Sequence, residues 1–318
     1  MNQLPEIPGY IWRPFSAQDE HALLTFELAC SQVDGVTKLR TLSEWQMVVQ
    51  TTEVMAQSRI AVNEAGEVVA AGWFEVDDRV DAVHAFMVER VHPDFRNQGI
   101  GVSLLLWLEV QAKQKMARVA KGRSQLLRLV FYDRAPDAIA LFEQQGYERQ
   151  YAEDEYVFDL KQPLPIMDSS KDLVWESWTP ENDAEFYGTY RESFATRTDD
   201  LMSADAWGNH FANSKDDEFQ PKLSLLLRRE EALLGFAVVH AENSEEAWIT
   251  QVGVSAYQRR QGRGAAIMVR VLNNMVDAGF SRALLQVNQD NPQASALYEA
   301  LGFTKTKTLF AYIKSLQD

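Results

Sequence analysis

The sequence predicts a mixed α/β fold that is present twice, each copy being a mixed central sheet flanked by helices. The chain has 318 residues, whereas a single hydrophobic core rarely grows past ~250–300 residues. Two motifs recur in the same order in the two halves, and each half alternates segments of strand and helix character. We therefore expect one domain over residues 1–160, a linker over 161–172 and a second domain over 173–318.

The first repeated motif follows a strand in each half. Residues 91–101 read VHPDFRNQGIG and residues 254–264 read VSAYQRRQGRG, which is an offset of 163 positions, from 96 to 259. The second motif reads ALFEQQGY at 140–147 and ALYEALGF at 296–303, an offset of 156. A longer loop in the first copy, around 119–124, is expected to account for the difference of seven residues. Two matches in one order indicate a duplication.

Each half is predicted to contain the same elements in the same order, ending in a last strand that closes that half. The expected strands lie at 10–13, 59–63, 68–76, 83–91 and 126–132 in the first half and at 173–178, 223–228, 233–240, 247–254 and 283–287 in the second. A helix after the second copy of the first motif has a 3.6-residue apolar period, at Ile267, Val271, Leu272, Met275 and Val276. The segment KQPLPIMDSSKD has two prolines and no apolar period, as expected for a linker.

Composition and charge argue against several classes of function. The formal net charge is −15 and the sequence pI is about 4.8, so a nucleic acid would repel the chain. The single cysteine, Cys30, cannot form an intramolecular disulfide, and the five histidines show no ligand pair that would indicate a metal site. The first residues do not resemble a signal peptide, and the longest apolar run, 104–108, is far shorter than a membrane span of ~20 residues. We expect a cytoplasmic protein.

The glycine-containing turn of the second half has the features of a phosphate-binding site. A strand is expected to end there and a helix to begin, so that backbone N–H groups and the positive end of the helix dipole face an anion. Gly262 and Gly264 let a phosphate approach the backbone, and Arg259, Arg260 and Arg263 add positive charge. A glycine pair before a helix is also ordinary turn chemistry. The turn follows the fourth strand of its half, which argues against a dinucleotide-binding fold, and it lacks the Gly-Lys-Ser/Thr ending of a P-loop.

The two motifs of the second half resemble those of the GNAT superfamily of N-acetyltransferases. The first is Arg259-x-x-Gly262-x-Gly264, and the second is Asn291-x-x-Ala294-x-x-Leu297-Tyr298-x-x-x-Gly302-Phe303. The resemblance implies that the turn holds the pyrophosphate of acetyl-CoA and that the preceding strand, with Val252 and Val254, binds the pantetheine arm through its backbone. It also implies that Asn291 contacts the cofactor. The alternative interpretation of Asn291 is a plain N-cap before Pro292, and both roles are compatible.

The same resemblance makes Tyr298 the general acid of the reaction. A neutral amine attacks a thioester, and backbone N–H groups near a bulge in the strand before the turn could stabilise the oxyanion. The leaving thiolate then takes a proton, which a phenol with a pKa near ~10 can donate. The alternative for Tyr298 is a packed aromatic ring with its hydroxyl at the surface. For the general base the sequence offers Glu245, Glu246 and His240, none at a spacing that forces the role.

The first half keeps the first motif and loses the second. Arg96, Gly99 and Gly101, with Val91 before them, form a candidate second cofactor site. The residue equivalent to Tyr298 is Phe142, which has no proton to donate, and the residue equivalent to Asn291 is Ala135. The first half is therefore expected to be structural or at most cofactor-binding. Some tandem members of the family resemble this arrangement.

The expected function is acetyl transfer from acetyl-CoA to a primary amine of a small molecule or peptide. The acidic charge favours a cationic acceptor, together with carboxylates in the variable segment 185–222 at Asp199, Asp200, Asp216, Asp217 and Glu218. Two other classes remain open. One is a CoA-dependent sensor without turnover, which Tyr298 argues against. The other is a scaffold that has lost the cofactor, which the two glycine turns argue against.

Overall fold

The computed structural model describes residues 7–36, 39–78, 82–166, 172–195, 202–204, 207–208 and 218–316. The chain divides into two compact units. Unit 1 consists of residues 1–153 together with 307–318, and unit 2 consists of residues 154–306. Each unit is a mixed sheet with helices, as the sequence predicts.

The sheet of unit 1 has the strand order β1-β2-β3-β4-β5-β12. Neighbouring strands are antiparallel except β4 and β5, which run parallel and are joined by a helical crossover. The strands are β1 (Tyr10–Arg13), β2 (Ser58–Asn63), β3 (Val68–Asp78), β4 (Ala82–Val91), β5 (Ser124–Tyr132) and β12 (Thr304–Ser315).

Helices cover both faces of the unit 1 sheet. Ile60 and Ala61 are successive residues of β2 and belong to different core clusters, so the clusters lie on opposite faces. Helix α4 packs into one cluster through Leu104, Leu108 and Met116, and α1 and α2 form the other. The helices are α1 (Glu20–Asp34), α2 (Leu42–Gln50), α3 (Thr52–Ala56), α4 (Ile100–Ala120) and α5 (Pro136–Gln144).

The sheet of unit 2 has the order β6-β11-β10-β9-β8-β7, with β10 and β11 parallel and β7 to β10 antiparallel. Helix α7 packs on one face through Ile267, Met268 and Leu272, and α6 packs in a separate cluster with Phe236. The predicted apolar stripe of α7 is correct except at Val276, which is 39% exposed. The elements are β6 (Glu148–Asp159), β7 (Val174–Ser177), α6 (Asp183–Ser193), β8 (Leu225–Arg229), β9 (Ala232–Ala241), β10 (Glu246–Val254), α7 (Arg263–Asp277), β11 (Arg282–Asn288) and α8 (Pro292–Ala300).

The last strand of each repeat does not complete its own half, which differs from the expected division at residues 160 and 173. Strand β12, at the end of the chain, pairs with β5 of unit 1 over seven residues, from Leu309 opposite Tyr132 to Ser315 opposite Leu126. Strand β6, which ends the first repeat, continues into unit 2 and lies beside β11 there. The division of the chain follows these hydrogen-bonded partners.

Two equivalent hydrogen bonds show the exchange directly. In unit 1, Tyr312 donates from its hydroxyl to Glu143 Oε1 at 3.0 Å. In unit 2, Tyr156 donates to Glu299 Oε1 at 2.9 Å. Residues 143 and 299, and residues 156 and 312, are each 156 apart, which is the offset of the second motif. Each unit therefore holds one Tyr–Glu pair whose tyrosine comes from the other repeat.

The extra residues of the first repeat lie in a helix. Helix α4 has 21 residues, whereas its equivalent α7 has 15. The connection from α4 to β5 is short, from Lys121 to Arg123. The expectation of a longer loop around 119–124 was therefore wrong, because the insertion extends α4 at its C-terminal end.

Candidate active site

The turn between β10 and α7 has the geometry of an anion site. After Val254 the chain makes a short 3₁₀ turn at Ala256–Gln258 and enters α7 through Gly262. Gly262 has φ of 73° and Arg260 has φ of 61°, so the backbone is left-handed at both positions. Gly262 is the N-cap and no side chain caps the helix, so the first N–H groups of α7 remain available to a ligand.

The three arginines of the turn have different surroundings. Arg259 donates from Nε to the Val254 carbonyl oxygen at 3.3 Å and from Nη2 to the Ser193 carbonyl oxygen at 2.6 Å. It therefore ties the turn to the end of α6. Arg260 is exposed, and Arg263 is only 9% exposed with a buried Nε that has no hydrogen-bond partner. The charge of all three lies at the positive end of α7.

A candidate cleft lies between β10 and β11 before the turn. Among the described residues, the register between the two parallel strands runs from Glu246–Arg282 to Trp248–Leu284 and does not continue beyond that point. Val252 and Val254 lie on the part of β10 beyond this pairing and are half-buried. Since no described strand is in register with β10 on that side there, its backbone groups can bind an extended ligand.

A β-bulge marks the start of the cleft. Ile249 lies opposite Val239 and Gln251 lies opposite Val238, so Thr250 is an extra residue on β10. The Thr250 hydroxyl oxygen is 3.0 Å from His240 Nδ1 and 3.4 Å from the Val238 carbonyl oxygen. The bulge therefore lies where the sequence predicts backbone N–H groups for an oxyanion, and it brings His240 to the same place.

The two residues of the second motif lie on α8. Asn291 is the N-cap, and its Oδ1 accepts from the Ala294 N–H at 3.3 Å. Pro292 follows at the first helical position. The N-cap interpretation of Asn291 is thus present in the structure. Tyr298 is 9% exposed, and its ring contacts Tyr156 and Phe303 with centroids 6.3 and 5.9 Å away.

The candidate bases separate into two groups. Glu246 forms an ion pair with Arg282, and Glu245 Oε2 is 3.4 Å from the Ser281 hydroxyl. Glu246 begins β10 where this strand is paired with β11, and Glu245 directly precedes it, so both residues lie at the end of the strand farthest from the turn. Only His240 lies at the bulge. Of the acidic residues expected near the acceptor, Asp199, Asp200, Asp216 and Asp217 lie outside the described residues, and Glu218 is exposed.

Unit 1 reproduces the turn of unit 2 but not the bulge. Asn97 has φ of 60° and Gly99 has φ of 81°, and Gly99 is the N-cap of α4. Strand β4 pairs with β3 in unbroken register from Val83 to Val91, without an extra residue. Phe142 is fully buried, and Ala135 is an N-cap without a side-chain hydrogen bond. Among the described residues, the turn is therefore the only one of these features that unit 1 shares with unit 2.

Gly264 and Gly101 matter because the absence of a side chain leaves room beside them, and not because their backbone is strained. Both lie at the second residue of their helix, and neither has a positive φ, so a side chain at either position would not strain the backbone. A Cβ on Gly264 would lie 3.3 Å from Leu297 Cδ2, and one on Gly101 would lie 3.1 Å from Glu89 Oε1 and 3.2 Å from Leu141 Cδ2. The glycines keep the space between the strand, the turn and the following helix open.

Sequence reasoning missed Gly253, which allows α6 to approach β10. A Cβ on Gly253 would overlap the Phe236 ring and lie 2.7 Å from Ser193 Cβ. This approach places the Ser193 carbonyl oxygen within reach of Arg259. A glycine inside a strand, as at position 253, is a known signal of close approach and could have identified it.

Replacing Gly253 by alanine should lower the free energy of unfolding by about 1–3 kcal/mol, the usual cost of overpacking a core. Gly188 is the matched control, because it lies inside α6, has nothing within 4 Å of a Cβ and is not at positive φ. Gly188→Ala should leave stability unchanged or raise it by up to ~1 kcal/mol. Urea denaturation of both variants measures the difference. Equal effects would contradict the close approach at Gly253.

Two family models match the chain, one in each half. The acetyltransferase (GNAT) family model matches residues 175–303, and an acetyltransferase (GNAT) domain model matches residues 56–149. The chain belongs to the GNAT acetyltransferase family and carries its domain twice. The resemblance drawn from the two motifs is confirmed, and the protein is an acyltransferase of this family.

Similar curated proteins span nearly the whole chain. A mycothiol acetyltransferase of Thermobispora bispora is 26% identical over 296 residues, which cover 90% of this chain and 93% of that protein. A mycothiol acetyltransferase of Kineococcus radiotolerans is 27% identical over 323 residues, covering 96% and 95%. These relatives support acetyl transfer as the class of reaction.

Solved structures share the fold. A GCN5-related N-acetyltransferase from Sphaerobacter thermophilus has a TM-score of 0.83 at 20% identity and covers 99% of this chain and 98% of its own. A tandem GNAT protein from the clavulanic acid biosynthesis pathway has a TM-score of 0.69 at 15% identity and covers 97% and 100%. Within the part of the chain that the structure describes, no helix is both long and apolar enough to span a membrane.

Proposed function

We propose that unit 2 transfers an acetyl group from acetyl-CoA to the primary amine of a small molecule, by direct attack in a ternary complex. The observation that carries the proposal is the combination in unit 2 of the anion-binding turn, the bulge at Thr250 and Tyr298. Among the described residues, unit 1 has only the first of these three. The relatives named for acetyl transfer support the same reaction.

The residues of unit 2 fit acetyl-CoA in three respects. The uncapped N-terminus of α7 and Arg260 and Arg263 supply donors and positive charge for the pyrophosphate. The edge of β10 at Val252 and Val254, beyond its register with β11, would offer N–H and C=O groups to the amides of the pantetheine arm. In the proposed complex, Asn291 at the start of α8 borders the same cleft. It keeps its N-cap hydrogen bond from the Ala294 N–H.

The chemistry requires one base, one oxyanion site and one acid. As the C–N bond forms, the amine gives its proton to the base, and the carbonyl oxygen gains charge. Backbone N–H groups at the bulge would stabilise that charge. As the C–S bond breaks, the Tyr298 hydroxyl would give its proton to the thiolate and be reprotonated from solvent.

His240 is the base that the geometry favours. The Thr250 hydroxyl can donate to the Val238 carbonyl oxygen, so that its oxygen accepts from His240 Nδ1–H. The hydrogen bond to Thr250 places the proton on Nδ1, so the lone pair of the neutral imidazole is on Nε2. The ring of His240 also packs against Phe219 with a centroid distance of 5.5 Å, which fixes its orientation.

Replacing His240 by glutamine should lower kcat/KM by roughly 10²–10⁴-fold, the typical contribution of a general base. Glutamine keeps a hydrogen-bonding side chain but has no group that takes up the proton of the amine. Glu245→Gln is the control and should keep its rate, because Glu245 directly precedes β10, at the end of the strand farthest from the turn. A His240→Gln enzyme with unchanged kcat/KM would remove His240 from the mechanism.

An acceptor screen tests which amine the enzyme acetylates. A screen with acetyl-CoA should include polyamines, aminoglycosides, amino acids, peptide N-termini and the acceptor of the mycothiol acetyltransferases, with released CoA as the readout. The net charge of −15 leads us to propose a cationic or amine-bearing acceptor. No CoA release with any amine, while acetyl-CoA still binds, would favour a sensor without turnover.

A further inference from the structure

Unit 1 contains a cavity of about 230 Å³ beside its glycine turn. The end of β4, the turn, the start of α4 and the helix α5 line it. The lining residues that matter below are Asp34, Glu89, Arg90, Arg96, Gly101 and Asp137. Unit 1, which has no tyrosine equivalent to Tyr298, therefore still has an open space between β4, α4 and α5.

Glu89 places an unpaired carboxyl group in this cavity. Its side chain is 3% exposed, and its Oε1 has no hydrogen-bond partner. Oε1 would lie 3.1 Å from a Cβ on Gly101, so the carboxyl group is at the N-terminal end of α4. Unit 2 has Val252 at the equivalent position, 163 residues further on. A buried carboxyl group without a partner is costly, so its presence beside an anion-binding turn calls for a role.

The other charges of the cavity nearly cancel. Arg96 Nη2 donates to Asp34 Oδ2 at 2.7 Å, which neutralises the first arginine of the turn. Arg90 has a buried Nη1 without a hydrogen-bond partner, and Asp137 lies at the start of α5. Two arginines thus face two aspartates, and the protonation state of Glu89 decides whether the cavity is neutral or negative.

The surroundings of Glu89 keep it protonated at neutral pH. Burial raises the pKa of its carboxyl group to about 8, and Asp34 on α1 acts in the same direction, whereas Arg96 in the turn and Arg90 on β4 oppose it. Cys30 on α1 and Tyr147 after α5 also face this charge, and burial raises the pKa of each. Both are neutral at pH 7, so they add no charge to the cavity.

We propose that this cavity is a proton-linked second site for the phosphate-bearing end of acetyl-CoA, which it accepts only while Glu89 carries a proton. The protonated carboxyl group can donate a hydrogen bond to a phosphate oxygen or an amide carbonyl, beside the donors of Arg90 and the α4 N-terminus. The ionised group would instead face the phosphates as a like charge inside a poorly solvated space. Binding therefore takes up a proton at alkaline pH. Unit 2 should show no such uptake at this position, because Val252 cannot ionise.

The test is calorimetric titration of the full chain with acetyl-CoA between pH 7 and pH 9. Acetyl-CoA has no thiol, and its phosphates are already ionised in this range. The wild type should bind two equivalents at pH 7, and one of the two sites should weaken by roughly tenfold at pH 9, one unit above the pKa of about 8. Repeating the titration at pH 8.5 in two buffers of different ionisation enthalpy should reveal proton uptake at that site.

Glu89→Gln is the decisive variant, because it keeps the shape and a hydrogen-bond donor but cannot ionise. It should bind two equivalents at both pH values without proton uptake. Glu89→Val, with the residue of unit 2, should also lose the pH dependence. One equivalent at every pH in both wild type and Glu89→Gln, or an unchanged pH dependence in Glu89→Gln, would overturn the proposal. The inference takes acetyl-CoA from the proposed function, but the readout is binding, so it stands or falls separately from turnover.

Discussion

Replacing Tyr298 by phenylalanine should lower kcat by roughly ten- to a thousandfold and leave the affinity for acetyl-CoA nearly unchanged. The substitution removes only the hydroxyl group, which in the proposed mechanism protonates the leaving thiolate. The ring itself is 9% exposed and packs between Tyr156 and Phe303, and these contacts do not need the hydroxyl. Unit 1 already accommodates a fully buried phenylalanine, Phe142, at the equivalent position. We therefore expect a folded variant with a chemical defect.

The matched control for this variant is Tyr156→Phe. Tyr156 belongs to the same cluster, and its hydroxyl donates to Glu299 at 2.9 Å. Removing this hydroxyl therefore removes a hydrogen bond and affects stability but not the proposed proton transfer. Tyr156→Phe should keep kcat within a few-fold. Single-turnover measurements ensure that chemistry is the step observed. A Tyr298→Phe enzyme with unchanged single-turnover rate would remove Tyr298 from the mechanism.

The local elements could be predicted because local patterns determine them. The strand expected at 10–13 is β1, and the expected strands 83–91 and 247–254 match β4 and β10 within one residue at each end. Alternation of apolar residues and the glycine turns fix these bounds without reference to partners. The helix after the second turn was predicted from its 3.6-residue period for the same reason.

The exchange of last strands could not be predicted, because the two repeats offer equivalent partners. Tyr156 and Tyr312 occupy equivalent positions, and each makes the same hydrogen bond to an equivalent glutamate. The sequence pattern of β6 therefore suits either sheet, as does that of β12. Which strand completes which sheet is decided by non-local pairing, and neither periodicity nor motif spacing carries that information.

The bulge at Thr250 and the buried Glu89 were missed for different reasons. A bulge adds one residue to a strand and leaves its alternation readable on either side, so it becomes visible only through the register with β9. Glu89 follows a run of apolar residues on β4 and reads as an ordinary solvated charge. Only the packing of α4 across Gly101 shows that this carboxyl group is buried.

Replacing Gly264 by valine should reduce turnover by at least ~100-fold, whereas Gly101→Val should retain most of it. A Cβ on Gly264 would lie 3.3 Å from Leu297 Cδ2 and 3.8 Å from Val254 Cγ2, so the added methyl groups would fill the space between β10, the turn and α8. In the proposed function acetyl-CoA passes through that space. Displacing a reacting group by about 1 Å is enough for a loss of this size.

Gly101→Val is a close control for the cost in stability. Both glycines are the second residue of their helix. A Cβ on Gly101 would be the more crowded of the two, at 3.1 Å from Glu89 Oε1 and 3.2 Å from Leu141 Cδ2. Each variant should therefore lose about 1–3 kcal/mol in the free energy of unfolding. Their loss of activity should differ, because only unit 2 has the bulge and Tyr298. Denaturation, calorimetric titration with acetyl-CoA and turnover on both variants separate the effects, and a folded Gly101→Val enzyme without turnover beside an active Gly264→Val enzyme would place the active site in unit 1.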